Sequence, residues 1–514
     1  MKTWLVASLV TVTGIAAGAG LAAGCDNADS CTFGGDGCYP PRDAGKDTSV
    51  TCDPAKDSAC LDNGIAVFVA STGLDSADGT KEHPVQSIQT ALSKAASAGK
   101  SRVYVCDGSY AERVKIDRPI SVYGGFACTG AWTYTGARAK IAPGESGPAL
   151  EVRNVAGAIV VADLEFTAKN AAAPGESSIA GWVSQSGGVT FRRVKLTAGT
   201  GADANSTPVT IPDWVPPKAL DGNSADGGAP GGEQPNPCSG LTAPSDRSVG
   251  GPGGNRNSDG GSGLPKIPEK PAGYTGAGGD TTKSFCDGAP RPGAYGAGGQ
   301  QAAEGSAPGQ VGPNGFVPAS GATGGNGVTG QGGGGGAGKN GGTAYGGGGG
   351  AGGCGGKGGV GGQAGGSSIA LLVHRMKVTL ESTTLHADKG GQGGPGGKGQ
   401  KAQQGGTEGN SGGFGGCPGA QGGHGGSGAG GNGGAGGSSF NLAYVGDAPS
   451  IDGADVTDKE SLTDKGWSLP SSSSNGGGAG DKGERVVLES DEGQPGRPGP
   501  HGITKAVVPL APAP

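Results

Sequence analysis

Aromatic and apolar side chains are scarce in this sequence. Of 514 residues, 4% are aromatic and 33% are hydrophobic, whereas 118 are glycine, so the composition departs strongly from that of ordinary globular domains. Charged residues make up 16%, which is too few for the charge-rich kind of disordered chain. The net charge of −6 and the pI near 5.5 give no electrostatic reason to expect a nucleic-acid partner, so none is predicted.

Spacings typical of metal and redox sites are also missing. No two cysteines form a C-x-x-C pair, so zinc-binding and thioredoxin-like chemistry have no support. The five histidines are scattered rather than grouped at metal-ligand spacing. We therefore predict no cofactor and assign no catalytic residue.

A long apolar run occurs at the start of the chain. Lys2 is followed by an apolar stretch from Trp4 to Leu21, which ends in Leu21-Ala22-Ala23-Gly24-Cys25. These five residues resemble the lipobox of bacterial lipoproteins, in which the cysteine thiol is lipidated before the signal peptide is cleaved and the new amine is acylated, for example with palmitate. The resemblance implies an anchor at Cys25 in the bacterial cell envelope, at the outer membrane or cell surface, because two or three acyl chains bind a bilayer stably. An ordinary signal peptide or an uncleaved membrane helix is the alternative.

Strand and helix signals follow one another in residues 64–127. A strand-like run over Ile65–Val69 precedes a turn-rich loop and a helical pattern that begins at Pro84. Further strand-like runs lie at 103–105, 111–116 and 120–123. The order of strand, G-x-D-x-x-x-G-T loop, helix, V-Y-V, G-x-Y-x-E and I-x-V-Y-G-G-F resembles the opening of pectin-lyase-like right-handed β-helices. That resemblance implies a helix that caps the first rung.

Three short segments share one apolar pattern. Residues 159–168, 189–198 and 378–387 align with apolar residues at their first, third and eighth positions, and a weaker rung is predicted at 439–445. Short strands of this kind cannot bury an apolar face alone, so they stack on their neighbours as a solenoid. The predicted fold is all-β: a short right-handed parallel β-helix with an N-terminal capping helix and long glycine-rich corner insertions.

Two long insertions interrupt the predicted β-helix. Each begins directly after the last alanine of a repeat, Ala198 or Ala387, so we expect both to leave from one corner and lie side by side. The predicted organisation is a signal peptide at 1–24, a polar cysteine-containing tether at 25–63, the first β-helix part with its cap at 64–198, a Pro/Gly-rich insertion at 199–366, a rung at 367–387, a glycine-rich insertion at 388–437, the last rungs and a cap at 438–490, and a Pro-rich tail at 491–514.

Glycine triplets dominate both insertions. At 352–362 and 390–398 two residues of every three are glycine, whereas collagen has one glycine per triplet and abundant proline. One interpretation is a flexible, solvated linker. The other is a bundle of extended helices with three residues per turn, which needs a staple because ordering glycine is costly. Residues 321–366 and 390–437 resemble the PGRS regions of PE-PGRS proteins, which implies an interaction role at a cell surface.

The cysteine count suits an exported chain. Of 11 cysteines, ten remain if Cys25 carries lipid, and an even number in an oxidising compartment predicts up to five disulfides. Cys106 and Cys128 each follow a predicted strand, so we predict a disulfide across neighbouring rungs. Cys354 and Cys417 lie in different insertions and are candidates to join them. Two further disulfide candidates are Cys238 and Cys286.

Acidic and aromatic residues supply weak candidates for a ligand site. Asp75 and Asp78 lie in the loop after the first predicted strand, where they either bind calcium or shape the turn. Trp182 could stack on a sugar ring, but it aligns with Val152 at a predicted core position, which favours a packing role. The other tryptophans that could stack on sugars are Trp132 and Trp214.

Basic residues of the second repeat could serve a polysaccharide lyase. Arg192, Arg193 and Lys195 are of the type that such β-helix enzymes use as a base. In the repeat alignment, however, Asp163 stands opposite Arg193 and Glu165 stands opposite Lys195. Opposite charges on neighbouring strands stabilise a sheet modestly, so we predict a structural ladder of ion pairs.

Two functions are consistent with these patterns. The first is a non-catalytic, lipid-anchored envelope or surface protein that binds or adheres through its glycine-rich loops. Its expected partners are the membrane, through the lipid, and envelope polysaccharide or other surface proteins. The alternative is a carbohydrate-active β-helix protein, either polysaccharide lyase-like or sugar-binding. The fold alone does not discriminate between them, since β-helices serve both.

Overall fold

The computed structural model describes the chain from Cys52 onward, with short gaps. The described residues are 52–128, 131–212, 214, 217–226, 228–236, 238, 247–283, 286–305, 309–312, 314–339, 344–468, 470–488 and 491–513. The predicted signal peptide, Cys25 and most of the predicted tether lie outside these ranges. Within them, no helix is both long enough and apolar enough to cross a membrane.

Three parallel sheets form the β part of the protein. The parallel strands of sheet A are Ala66–Val69, Arg102–Cys106, Ser121–Ala127, Ala158–Ala162, Gly188–Arg192, Val378–Glu381 and Ser450–Ile451, and two short strands, Thr133–Tyr134 and Ala454–Asp455, are antiparallel to them. The strands of sheet B are Ser109–Tyr110, Ala139–Ile141, Leu164–Thr167, Lys195–Thr197 and Thr384–His386. The strands of sheet C are Val114–Ile116, Leu150–Arg153, Ser178–Ser184, Ser368–His374, Ser439–Val445 and Thr504–Pro509. From Arg102 to Ile451 the chain visits the three sheets in the repeating order A, B, C, and it then returns to sheet C at Thr504–Pro509 without a further strand in sheet B.

Short elements complete the secondary structure. The α-helix of the described residues spans Ile88–Ser97, so the fold is mostly β, as predicted. The remaining elements are the 3-10 turns Ser58–Cys60, Pro217–Leu220 and Thr463–Lys465, the strand pair Gln234–Asn236 and Ser248–Gly250, and a small sheet of Gln310–Gly312, Gly315–Val317 and Ala511–Pro512.

The sequence repeats lie on neighbouring strands in the predicted register. Val189 pairs with Ile159 on one side and with Val378 on the other. The predicted rung at 439–445 is also a strand, but it belongs to sheet C, where it pairs with Ser368–His374. The stacking of short strands inferred from the apolar pattern is therefore confirmed.

Non-glycine residues with left-handed backbone mark two corners between the sheets. Their φ angles lie between 46° and 57°. One corner, between sheets C and A, holds Asn154, Gln185 and Arg375; the other, between sheets A and B, holds Asp163, Arg193 and Ser382. Because these three circuits turn with the same backbone conformation, their strands stay in register.

Apolar side chains fill the space between the three sheets, and both ends of this core are covered. At the first end, Ile88–Ser97 buries Ile88, Ala91, Leu92 and Ala95 against it. At the other end Trp467 is buried and its indole N–H donates to Thr383 O at 2.7 Å. Covering the open sheet ends keeps water and other strands away from them.

Two terminal segments are more ordered than the sequence suggested. The end of the predicted tether packs on sheet A, where Cys52 and Cys60 form a disulfide and Leu61 is buried. The predicted Pro-rich tail contains a strand, Thr504–Pro509, which pairs with Ser439–Val445. Apolar residues in each segment pack against a sheet. The surrounding residues are mostly polar, so the sequence pattern did not indicate this packing.

Candidate functional site: the glycine bundle

The glycine-rich segments fold together into one ordered assembly, which we call the glycine bundle. They belong to neither α-helices nor strands, yet most of their residues are buried. Seven segments of the bundle are 291–300, 319–337, 345–366, 389–412, 416–437, 472–484 and 491–503. Of the two interpretations of the glycine triplets, the flexible linker is wrong and the bundle of extended segments is confirmed.

Segment 416–437 lies at the centre and is hydrogen-bonded to the other six. Its N–H groups donate in three rows of period three, for example Gly426 to Val328 O, Gly431 to Gly397 O and Gly430 to Gln494 O. Its carbonyl groups accept from the remaining three segments, for example from Gly356 N at 2.8 Å. A repeat of three directs successive peptide groups to different neighbours, as three residues per turn requires. The buried backbone is thus paired without a sheet or an α-helix.

Close backbone packing explains why two of every three residues are glycine. A Cβ atom on Gly431 would lie 2.2 Å from Val360 O, and one on Gly356 would lie 2.0 Å from Gln400 O. Neither distance is compatible with a side chain. The third residue of the triplet is buried at Ala351 and Cys354 but exposed nearer the sheets, where Val360 is 37% exposed.

The bundle continues the register of the sheets. In sheet C, Ile369 pairs with Phe440, and just before these strands Gly365 N donates to Ala435 O. Sheet B continues in the same way, since Ala204 N donates to Gln392 O beyond the strands that end at Thr197 and His386. Both insertions therefore leave from one edge and lie side by side, as predicted. The sheets hold the first residues of each segment in place, so the rest of the segment loses less conformational entropy when it becomes ordered.

Two disulfides fasten the bundle to the Pro/Asp/Asn-rich part of the first insertion. Cys238 pairs with Cys354 and Cys286 pairs with Cys417. The suggested direct link between Cys354 and Cys417 is therefore wrong, because each of these cysteines faces a different peripheral segment. The predicted pair Cys106–Cys128 is present.

One aromatic side chain stands free at the tip of the bundle. Phe414 is 99% exposed in the turn between segments 389–412 and 416–437. Gly413 and Gly415 flank it with φ angles of 77° and 95°, which glycine adopts without strain. Segment 416–437 spans on the order of 70 Å at 3.1 Å per residue, so this ring lies far from the sheets. Phe414 is not among the residues predicted from the sequence, although a lone aromatic residue within a glycine run was a usable signal.

A histidine is buried inside the bundle. His424 is 7% exposed, its Nδ1 accepts a hydrogen bond from Gly405 N at 3.0 Å, and its ring lies 4.7 Å from that of Tyr295. Burial lowers the pKa of His424. A neutral imidazole is thus required, since a protonated Nδ1 cannot accept from Gly405.

The acidic loop serves the capping helix. Asp75 Oδ1 accepts from Gln86 N and Ser87 N at 3.0 and 2.8 Å, beside the start of the helix. Burial raises the pKa of Asp75, but hydrogen bonds from Ser87 and Gln86 outweigh this effect and lower it. Asp78 accepts from Thr80 N at 2.9 Å, and that bond lowers the pKa of Asp78. These contacts favour the turn-shaping alternative over the calcium site.

The predicted charge ladder is present on the outer surface of the sheets. Arg193 donates two hydrogen bonds of 2.7 Å to the buried carboxylate of Asp163, and these bonds raise the pKa of Arg193. Lys195 Nζ lies 3.0 Å from Glu165 Oε1. Arg192 contacts Glu381 at 2.6 Å, and this hydrogen bond raises the pKa of Arg192.

The tryptophans take packing positions. Trp132 is buried and donates to Lys81 O at 3.2 Å. Trp182 is buried too, but its predicted alignment with Val152 is wrong: it pairs with Glu151 and belongs to a second apolar cluster on the outer face of sheet C, under the Arg153 guanidinium. Trp214 is half-buried.

Acidic, histidine and cysteine side chains seldom cluster in the described part of the chain. The trio there with metal-ligand spacing is Cys52, Asp57 and Cys60, and its two cysteines are joined in a disulfide. Comparison of the chain with family models, with curated proteins and with solved structures finds no match. The function is therefore inferred from the geometry of the glycine bundle itself.

Proposed function

We propose that the chain is an exported bacterial lipoprotein, anchored in the cell envelope by lipid on Cys25. The cysteine count supports this proposal. The eight cysteines from Cys52 onward form four disulfides among themselves, and such disulfides are typical of an oxidising compartment. Of the three that precede Cys52, lipid on Cys25 leaves an even pair, Cys31 and Cys38.

The three-sheet part is, in this proposal, a right-handed parallel β-helix of the pectin-lyase-like type. The repeating sheet order A, B, C, the matching left-handed corners and the helix over the first strands support it. Its role is to support the bundle: strands of sheets B and C hold the glycine segments in register.

The glycine bundle, in this proposal, is a non-catalytic binding platform directed away from the sheets. The observation that carries the proposal is the pairing of its interior peptide groups around segment 416–437, which makes the bundle a stiff rod rather than a linker. A stiff support loses little conformational freedom when it binds. Phe414 at the tip is the proposed contact residue, with envelope polysaccharide or another surface protein as partner.

A lyase-like function receives no support from the basic residues. Arg192 and Lys195 are each paired with a carboxylate of a neighbouring strand, and Arg193 is paired with Asp163 at the neighbouring corner. A residue that takes a proton from substrate must be free to reach it, and these side chains are engaged in the ladder. Incubation with uronate polymers and calcium is expected to give no unsaturated product; a clear product signal would favour the carbohydrate-active alternative.

The anchor and the platform are tested separately. Acyl labelling of the full chain and globomycin-sensitive processing are expected, and both should disappear in Cys25→Ala.

For the platform, full chains carrying Cys25→Ala are titrated onto isolated cell envelopes. Phe414→Ala is expected to weaken this binding about tenfold or more, since a buried phenyl ring contributes roughly 1.5–3 kcal/mol. Val360→Ala, an exposed change on the flank, is the control; equal binding by all three proteins would contradict the role of the tip.

A further inference from the structure

An N-glycosylation motif occurs once in the sequence. It is Asn205-Ser206-Thr207, with Asp203 two residues before the asparagine. In exported proteins such a triplet is an acceptor for N-linked glycans, and it then lies on the surface. The triplet is short enough to occur by chance, so its structural setting decides whether it can be used.

The chain leaves the hydrogen-bonded bundle at this triplet. Ala204 N still donates to Gln392 O at 2.8 Å, and Asn205 N to the side chain of Gln363 at 3.3 Å. Residues 206–211, by contrast, form no backbone–backbone hydrogen bond within the described part of the chain. The chain bends at Ser206 and Thr207, and residues 205–210 are all exposed. A folded protein can therefore present this segment to a transferase.

The carboxamide of Asn205 is available for reaction. Among the described residues its side chain makes no hydrogen bond, although the backbone N–H groups of Ala204 and Asn205 are held by the bundle. Asn410, which is also exposed, precedes Ser411 and Gly412 and so lacks the hydroxyl residue two positions on. The two asparagines differ in the motif rather than in accessibility.

We propose that Asn205 carries an N-linked glycan. The donor is an oligosaccharide on a lipid diphosphate: a bond forms between Asn205 Nδ2 and the sugar C1, the bond from C1 to the diphosphate oxygen breaks, the lipid diphosphate leaves, and the amide proton passes to a base of the transferase. The four disulfides indicate the compartment in which this transfer occurs. The inference rests on the export in the proposed function.

The glycan has a defined position on the molecule. Asn205 follows Ala204, which bonds to the start of segment 389–412, whereas Phe414 follows the end of that segment. The sugar therefore stands on the flank of the bundle next to the sheets and leaves the tip uncovered. Because Asn205 Nδ2 has no partner among the described residues, attachment breaks no existing hydrogen bond.

Mass spectrometry of the full chain, purified from the cells that naturally make it, tests this proposal. The peptide that contains Asn205 is expected to carry added glycan mass, which is lost completely in Asn205→Gln and Thr207→Ala. Thr207→Ser and the control Asn410→Gln are expected to keep it. If all of the peptide that contains Asn205 is recovered without glycan, the proposal is overturned, whether or not Cys25 is acylated.

The same sample reports on the anchor independently. Acylated Cys25 with unmodified Asn205 would overturn the glycan and leave the proposed lipoprotein standing. A glycan on Asn205 in a chain without acyl groups at Cys25 would support the glycan and overturn the anchor.

Discussion

Glycine is required at interior positions of the bundle because a methyl group does not fit there. Gly431 is one of these, since its Cβ would lie 2.2 Å from Val360 O. Gly478 occupies a similar triplet on the outside, where a Cβ would meet no atom within 4 Å. Comparison of alanine substitutions at these two positions therefore distinguishes the steric requirement for glycine from the entropic cost that glycine carries at any position.

Gly431→Ala is therefore expected to destabilise the protein by about 3 kcal/mol, at the upper end of the cost of overpacking. Gly478→Ala is expected to be neutral or slightly stabilising, because alanine restricts the unfolded chain. Thermal and denaturant unfolding, followed by circular dichroism, compares the two variants with the unmodified chain. Equal effects would show that the interior is not closely packed.

The ion pair of Arg193 with Asp163 is more buried than the ion pairs at the surface. The Asp163 side chain is 4% exposed, and it accepts from Tyr134 as well as from Arg193. Arg193→Met leaves this carboxylate buried without its cation, which is expected to cost about 3 kcal/mol. Lys377→Met, which removes the exposed pair with Asp455, is expected to cost less than about 1 kcal/mol. Urea unfolding measures both, and a similar small loss in each would argue against a buried ladder.

At the scale of single elements, the central segment contains a pH-sensitive position. The pKa of His424 is lowered by burial, so the unfolded chain, with a pKa near 6.5, takes up a proton that the folded chain refuses. The contribution of neutral His424 to the free energy of unfolding is therefore fully present above about pH 6.5. Below that pH it falls, by up to about 1.4 kcal/mol per pH unit.

His424→Asn keeps an acceptor for Gly405 but does not titrate. We expect its unfolding free energy to fall less between pH 7.5 and pH 5 than that of the unmodified chain. Denaturant titrations at both pH values measure the difference. A steeper loss in His424→Asn would contradict the predicted direction of the pH effect.

The strands of the repeats could be predicted from the sequence, but the inward face of sheet C could not. Residues 159–168, 189–198 and 378–387 alternate apolar and polar side chains, so period and register were both visible. Strand Ser178–Ser184 is buried on both faces, which removes the alternation and places Trp182 one position away from its predicted alignment. A doubly covered strand carries no period-two signal.

The glycine bundle was predicted as one of two alternatives, and its connectivity was not predictable. The triplets around 352–362 permit three residues per turn, but whether they order depends on neighbours far along the chain, such as segment 416–437. For the same reason the disulfides of Cys354 and Cys417 could not be assigned, since sequence spacing does not determine pairing. Phe414 and Asn205 are noticed as candidates mainly because the structure shows that they are exposed.

At the scale of the whole molecule, two disulfides close very long loops. The bonds Cys238–Cys354 and Cys286–Cys417 span 116 and 131 residues, so each restricts the unfolded chain by roughly 4–5 kcal/mol in the loop-entropy model. The bond Cys52–Cys60 spans 8 residues and contributes roughly 2.5 kcal/mol by the same relation.

Replacing Cys238 and Cys354 together by alanine is expected to loosen the bundle while the sheets stay folded. The expected readout is faster proteolysis at 345–366 with little change near 178–198. The matched control, Cys52→Ala with Cys60→Ala, should leave cleavage of the bundle unchanged. Cleavage of both regions at the same rate would mean that the bundle and the sheets unfold as one unit.

Amide hydrogen exchange of segments 345–366 and 416–437 tests most directly whether the glycine bundle is a hydrogen-bonded structure. Most glycine N–H groups of these segments donate to neighbouring segments, so for those groups we predict exchange slowed by at least about a thousandfold relative to an unstructured chain, a protection free energy of about 4 kcal/mol or more. Exchange of these glycines at unstructured rates, with protection confined to the three sheets, would contradict the existence of the bundle as a folded unit.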